Sequence, residues 1–274
     1  MSPPLRVGLA GAGWVSEHHL NAYAALGGKA IVVAIADPNR AAAERRAAAF
    51  GIGHVFASVE DMLSAVELDA LDVAAPRETH VPICVAGVGA GLPILCQKPF
   101  APTFEDAYAF FAAHPTARVM VHDNWRFRSH YRQIASWIRD GSVGRIRSVE
   151  CHVKTSGLIR DGSGRYPALE RQPMLAGLKR MLLMEVMIHH VDTLRYLLGP
   201  LSLIGCVAGK SCDAIAGEDR ATLLMKDASG ASVALIGDFM SPLSPPTLRD
   251  ALTISGERGY IMHAYRVDTY SLQC

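Results

Sequence analysis

Three short stretches hold residues whose types and spacing could do chemistry. "GLAGAGWVSEHH" (8–19) carries Gly11-x-Gly13-x-x-Ser16 after an apolar run. A glycine turn of this kind lets the backbone approach a pyrophosphate at a helix N-terminus. "QKP" (97–99) places Lys98 just after another apolar run. "EVMIHHVD" (185–192) has two adjacent histidines between two carboxylates, inside a stretch (181–199) that reads as a helix. Residues advance by about 100° on a helix, so His189 and His190 cannot serve one site. Glu185, His189, Asp192 and Tyr196 fall within about 60° of one another at that spacing. His190 falls instead among Leu183, Val186, Met187, Leu194, Leu197 and Leu198. It reads as a buried histidine with its polar atoms satisfied, and His189 as the one able to move a proton. A rival reading of the same stripe is a solvated face with an i,i+4 pair. Another is a metal site from Glu185, His189 and Asp192. No second His or Cys cluster at ligand spacing supports a metal, and the expectation is none.

These residues need elements to hold them. Up to about residue 122, short β-branched runs alternate with Ala-rich helical segments. Strands are expected at 5–11, 30–37, 54–58, 70–76, 92–97 and 117–123, and helices at 14–27, 39–50, 59–66, 80–90 and 103–113. Strands apolar on both faces, alternating with helices, predict a doubly wound parallel α/β sheet of the Rossmann kind. Asp37, Pro76 and Lys98 then all sit at carboxyl ends of strands, where such sheets bind ligands. Asp37 would take a ribose 2′-hydroxyl, which argues for NAD, while nearby Arg40 keeps NADP open. After a helix at about 129–140 the texture changes. A long strand at 144–157, a loop rich in Gly, Pro and Arg (157–180), the histidine helix and five further strand-like stretches ending in "IMHAYRVDTYSL" predict an α+β domain with a mostly antiparallel sheet. The expected domains are 1–123 for the dinucleotide and 124–274 for substrate and oligomerisation.

Bulk properties narrow the partners. Of 274 residues, half are hydrophobic and 19% charged, with a net charge of +1. That balance argues against nucleic acid or a membrane surface as partner. No apolar stretch approaches the length of a membrane span, and the N-terminus has no secretory pattern. Six scattered cysteines, none in C-x-x-C, fit a reduced, cytoplasmic protein.

The order of motifs resembles the Gfo/Idh/MocA family of NAD(P)-dependent sugar and cyclitol oxidoreductases. "GAGWVSEHH", Asp37, "APRETH" (75–80), "QKP", "NWRF" (124–127) and "EVMIHHVD" follow that family's sequence of motifs over most of the chain. Three positions depart from it: Gln97 stands for Glu, Glu185 for Asp and Met187 for Gly. The Q-K-P variant with "NWRF" and "RQP" (171–173) resembles an apiose-type pentose dehydrogenase subgroup. The sequence ends earlier than family members do, so either final strands are missing or the second domain is compact.

The resemblance implies reversible oxidation of a secondary alcohol on a sugar or polyol. Gly11, Ala12, Gly13, Trp14, Val15, Asp37, Arg40, Ala75, Pro76, His80, Gln97 and Lys98 would form the cofactor site. His189, an imidazole, suits the general base. Lys98 would stabilise the substrate oxygen, and Glu185 would orient His189. Asn124, Arg126, His152, Arg165 and Tyr166 are polar candidates for the substrate pocket. The resemblance also implies a homo-oligomer, dimer or tetramer. The competing class is a catalytically silent NAD(P)-binding regulatory protein of the same fold.

Overall fold

The computed structural model describes residues 3–242, 244–247, 249–264 and 269–273. The chain divides into two compact units, Met1–His122 and Asp123–Cys274.

The first unit is a six-stranded parallel sheet. Its strands are β1 (Leu5–Ala10), β2 (Ala30–Ala36), β3 (His54–Phe56), β4 (Ala70–Val73), β5 (Ile94–Gln97) and β6 (Val119–His122). Their order is β3-β2-β1-β4-β5-β6, so the order reverses between β1 and β4. The strands are apolar because helices pack against the sheet, and Leu9, Ala34, Ile35, Leu71 and Val73 are fully or almost fully buried. Three of the helices start at a side-chain cap. Asn39, Ser58 and Thr103 each accept a hydrogen bond from the backbone N–H three residues on, opening α2 (Arg40–Phe50), α3 (Val59–Ala65) and α5 (Phe104–Ala113). The other two helices are α1 (Trp14–Ala25) and α4 (His80–Gly89).

The second unit holds a seven-stranded mixed sheet. It contains β7 (Ile146–Lys154), β8 (Leu201–Gly209), β9 (Arg220–Asp227), β10 (Ser232–Asp238), β11 (Arg249–Gly256), β12 (Tyr260–Ala264) and β13 (Thr269–Gln273). The order is β13-β12-β11-β7-β10-β9-β8. Among the described residues only β7 and β10 pair in parallel; the other neighbours are antiparallel. The final stretch read as one strand holds both β12 and β13, and residues 265–268 between them lie outside the described residues, as does Cys274. The loop expected at 157–180 contains a short helix, α7 (Pro167–Arg171), and a 3₁₀ turn, Pro173–Gly177.

Val149, Cys151 and Val153 of β7 meet Val233 and Leu235 of β10 and Leu194 and Leu197 of the histidine helix in one core, joined by Tyr131 and Ile134 of α6 (Ser129–Arg139). Each such buried aliphatic side chain contributes about 1.5–3 kcal/mol. The histidine helix is not regular throughout. It begins as a π-helical turn, Leu182–Met187, and becomes α8 at Ile188–Leu198. The Glu218 carboxylate caps its start by accepting from the Leu183 N–H at 2.8 Å.

His190 lies in this core, 1% exposed, with its ring edge-on to Trp125. That agrees with its place on the apolar arc. Among the described residues neither ring nitrogen has a partner at full hydrogen-bonding geometry, and the Val186 carbonyl interacts with the ring. Burial pushes its pKa down to about 4, with His189 and Arg128 adding to the effect and Asp250 and the Val186 carbonyl opposing it. The unfolded chain takes up this proton near the ordinary histidine pKa, and the folded chain only near pH 4. The resulting stability is fully present above the unfolded pKa and is lost as pH falls towards the folded one. It amounts to about 3 kcal/mol. Urea denaturation as a function of pH is therefore expected to show wild type losing more stability than His190→Leu between pH ~6.5 and ~4. Parallel curves would contradict this.

Candidate active site

The first unit gathers the glycine turn, Asp37 and the ends of β4 and β5. Gly11 has φ +105°, and a Cβ there would come within 2.5 Å of the Ala74 carbonyl oxygen. Only glycine lets β1 turn so close to the end of β4. Gly13 has an ordinary φ of −71° and faces open space; nothing lies within 4 Å of where its Cβ would be. It is the N-cap of α1 and offers no side chain to the helix, so the first-turn N–H groups are left for an anion. Ser16, fully buried, donates to the Gly13 carbonyl at 2.6 Å and packs where the third glycine of the motif would stand. Asp37 follows β2. Its carboxylate accepts from the Ala12 and Asn39 N–H groups, both at 2.7 Å, which holds it against the turn. Trp14 is 61% exposed beside the turn, and Val15 is half-buried. Arg40 is exposed and pairs with Glu44 at 2.8 Å, one turn along α2. An open cradle, an uncapped helix start and a strand-end carboxylate fit a dinucleotide with a free 2′-hydroxyl.

The loops after β4 and β5 are tied together. His80 is buried, with Nδ1 2.9 Å from the Pro99 carbonyl oxygen and Nε2 2.8 Å from that of Ala75. It clamps these loops from within instead of reaching out of them, a role the sequence did not suggest. Pro76 is exposed and Ala75 half-buried. Lys98 is half-buried and precedes a cis peptide bond to Pro99. Gln97, at the end of β5, accepts from the Lys98 N–H at 2.9 Å and also meets His19.

The second unit builds a separate group around His189. Its Nδ1 lies 2.9 and 3.0 Å from the two carboxylate oxygens of Asp123. Asp123 is 6% exposed and also accepts from the Trp125 N–H at 3.2 Å. The Trp125 ring stacks on His189 at 5.0 Å and 6°. A carboxylate only accepts, so Nδ1 carries a proton, and in the neutral ring the lone pair is then on Nε2. The imidazole is thus oriented as a general base.

The other expected members of this stripe are placed differently. The carboxylate on His189 Nδ1 is Asp123 and not Glu185, because Glu185 lies in the π-helical turn, where the 100° step does not hold. Asp192 forms a fork-like ion pair with Arg126, whose guanidinium also lies over the Tyr196 ring. Arg126 is therefore committed within the protein. The metal grouping of Glu185, His189 and Asp192 is not assembled among the described residues. Asn124 is exposed, next to Asp123. Arg165 is exposed in its loop and bonded to Ser163, with Glu170 at 3.6 Å; Tyr166 lies beneath Arg160. His152 is on the opposite face of the sheet from Cys151 and Val153, and so away from the core that α8 packs into. The structure does not bring it to His189. Asp123 is the candidate-site residue missed from sequence, and no local pattern links it to His189.

Comparisons with known proteins agree with this architecture. Residues 5–124 match the Gfo/Idh/MocA oxidoreductase family's NAD-binding Rossmann fold, and residues 131–262 match that family's C-terminal domain. The chain is 31% identical over 271 residues to a D-apiose dehydrogenase of Paraburkholderia graminis, covering 96% of this chain and 69% of that protein. It is 29% identical over 201 residues to an inositol 2-dehydrogenase of Leifsonia xyli, covering 72% of this chain and 55% of that one. Among solved structures, an oxidoreductase from Agrobacterium radiobacter in complex with NAD+, L-tartaric acid and magnesium shares the fold. It has a TM-score of 0.87 at 22% identity, over 98% of this chain and 79% of that one. With a Rossmann sheet whose glycine turn is open to a dinucleotide, a carboxylate-oriented histidine and both family domains matched in order, the chain belongs to the Gfo/Idh/MocA family of oxidoreductases.

Proposed function

We propose that this NAD-binding oxidoreductase interconverts a secondary alcohol and a ketone on a sugar or polyol, with an apiose-like pentose as the first substrate class to test. The observation that carries the reading is His189, its Nδ1 proton held by Asp123 and its Nε2 lone pair available as a base. The similarity to a D-apiose dehydrogenase supports the pentose class.

Gly11, Ala12, Gly13, Trp14, Val15, Asp37, Ala75 and Pro76 hold the dinucleotide, and Arg40, drawn to Glu44, leaves the preference with NAD. When bound, NAD supplies the hydride acceptor. His189 takes the hydroxyl proton as the carbon is oxidised and returns it in reduction. Asp123 keeps the imidazole in the tautomer that can do so and stabilises the imidazolium that forms. Lys98 stabilises negative charge developing on the substrate oxygen. Glu185 and Asn124 contribute hydrogen bonds to the sugar hydroxyls.

The purified chain with NAD and a panel of pentoses, hexoses and inositols is expected to produce NADH. His189→Asn and Lys98→Met should each lower kcat by about 100-fold or more. NAD affinity by calorimetry should stay unchanged for His189→Asn. NAD binding with no turnover on any substrate would contradict the reading and favour a silent nucleotide-binding protein.

A cytoplasmic setting belongs to the same reading and is supported by the free thiols of Cys84, Cys96, Cys151, Cys206 and Cys212. So does a homo-oligomer. Leu224, Ala234, Ile236 and Met262 share the outer face of the second sheet, opposite its core, and Leu224 and Met262 are 47% and 41% exposed. A second copy of the chain would cover this face. Sedimentation velocity is expected to show a dimer or tetramer of the 29.5 kDa chain, weakened by Leu224→Asp. A monomer at micromolar concentration would contradict it.

A further inference from the structure

Inside the first unit lies a buried polar chain that the proposed chemistry does not use. Asp72, in the middle of β4, is fully buried, and His19 of α1 is 5% exposed. His19 Nδ1 lies 2.8 and 3.0 Å from the two Asp72 oxygens. His19 Nε2 lies 3.0 Å from Gln97 Nε2, and Gln97 Oε1 lies 2.9 Å from the Lys98 backbone nitrogen.

The direction of every bond in this chain follows from one donor. A backbone N–H can only donate, so the Gln97 atom facing Lys98 must be the amide oxygen. A flipped amide would set two donors against each other. The Gln97 nitrogen therefore faces His19 and donates to it, which leaves Nε2 of His19 with the lone pair. The proton of His19 then sits on Nδ1 and is donated to Asp72. The orientation of the amide and the tautomer of the ring, ordinarily matters of assignment, are both determined here by the Lys98 N–H.

The groups around His19 and Asp72 stay protonated. Tyr23, on α1, has its hydroxyl pushed well above its ordinary range by burial and by Asp72, so it stays a donor to that carboxylate. Cys96 is likewise kept protonated, by its hydrogen bond with Cys84 and by burial. His122 of β6 meets His19 edge-on at 4.9 Å.

We propose that Asp72, His19 and Gln97 form a one-directional relay that positions Lys98, making His19 and Gln97 positioning residues for the reaction. It ties the end of β5 to α1, the helix that begins at the glycine turn, and to β4 at the sheet's switch point. The role in turnover rests on the reading of Lys98 given above; the direction of the relay does not.

NMR of isotopically labelled histidine nitrogens reads that direction without any substrate. In wild type near neutral pH, His19 is expected as the Nδ1–H tautomer. Gln97→Glu keeps an acceptor for the Lys98 N–H but puts an acceptor against His19 Nε2, so His19 should become doubly protonated. Gln97→Leu removes both bonds and should lower kcat about tenfold, with KM for NAD within about twofold. Gln97→Glu should recover most of that loss. An Nε2–H tautomer in wild type, or a singly protonated His19 in folded Gln97→Glu, would overturn the relay. Unchanged kcat in folded Gln97→Leu, alongside a large loss in Lys98→Met, would overturn its positioning role. Full turnover in Lys98→Met would instead overturn the reading of Lys98, and the tautomer would still decide the relay. If Gln97→Leu does not fold, the Gln97→Glu spectrum decides it.

Discussion

The hydrogen bond from His189 to Asp123 is the interaction on which the chemical account depends. It places a proton on Nδ1 and so makes Nε2 a base. Asp123 can do this because it is buried, where an ionised carboxylate needs donors. The His189 ring and the Trp125 N–H supply them. Trp125 then packs flat on His189 and edge-on to His190, so one aromatic ring sets the position of both histidines. The adjacent pair is sorted by its surroundings: His190 is held neutral in the core while His189 keeps a carboxylate and a free lone pair.

The same device recurs in the first unit. His19 also gives Nδ1 to a buried carboxylate, but its Nε2 is occupied by Gln97. One histidine is thereby left able to exchange a proton and the other is not. What distinguishes them is the group on the second nitrogen. This also gives Gln97 a physical reading. A glutamate at that position would present an acceptor to His19, and the ring would need a second proton to meet it.

Much of the fold was legible because local patterns dictated it. Apolar runs separated by Ala-rich helices gave six parallel strands in the Rossmann order, with the glycine turn and Asp37 at neighbouring strand ends. The sorting of His190 into the core was legible because α8 is regular from Ile188 onwards. That Asp123 and not Glu185 meets His189 Nδ1 was not, since a π-helical turn has no compositional mark and changes the residues per turn. Asp123 was read as the end of a strand, 66 positions from the histidine it meets, and no local pattern links the two. The parallel pairing of β7 with β10 is likewise non-local. The place of His152 could have been found: "VECHV" alternates, and Val149, Cys151 and Val153 hold the core side. Arg126 was a reasonable sugar ligand by type, but nothing near it in sequence announced Asp192 as its partner.

The central claim is that Asp123 acts on the reaction through His189 and by no other route. A double-mutant cycle on kcat measures this directly, using Asp123→Asn, His189→Asn and the double variant. The account predicts strong non-additivity, with the double variant no slower than His189→Asn alone. Losses that simply add would show that the two residues act independently, and would contradict it.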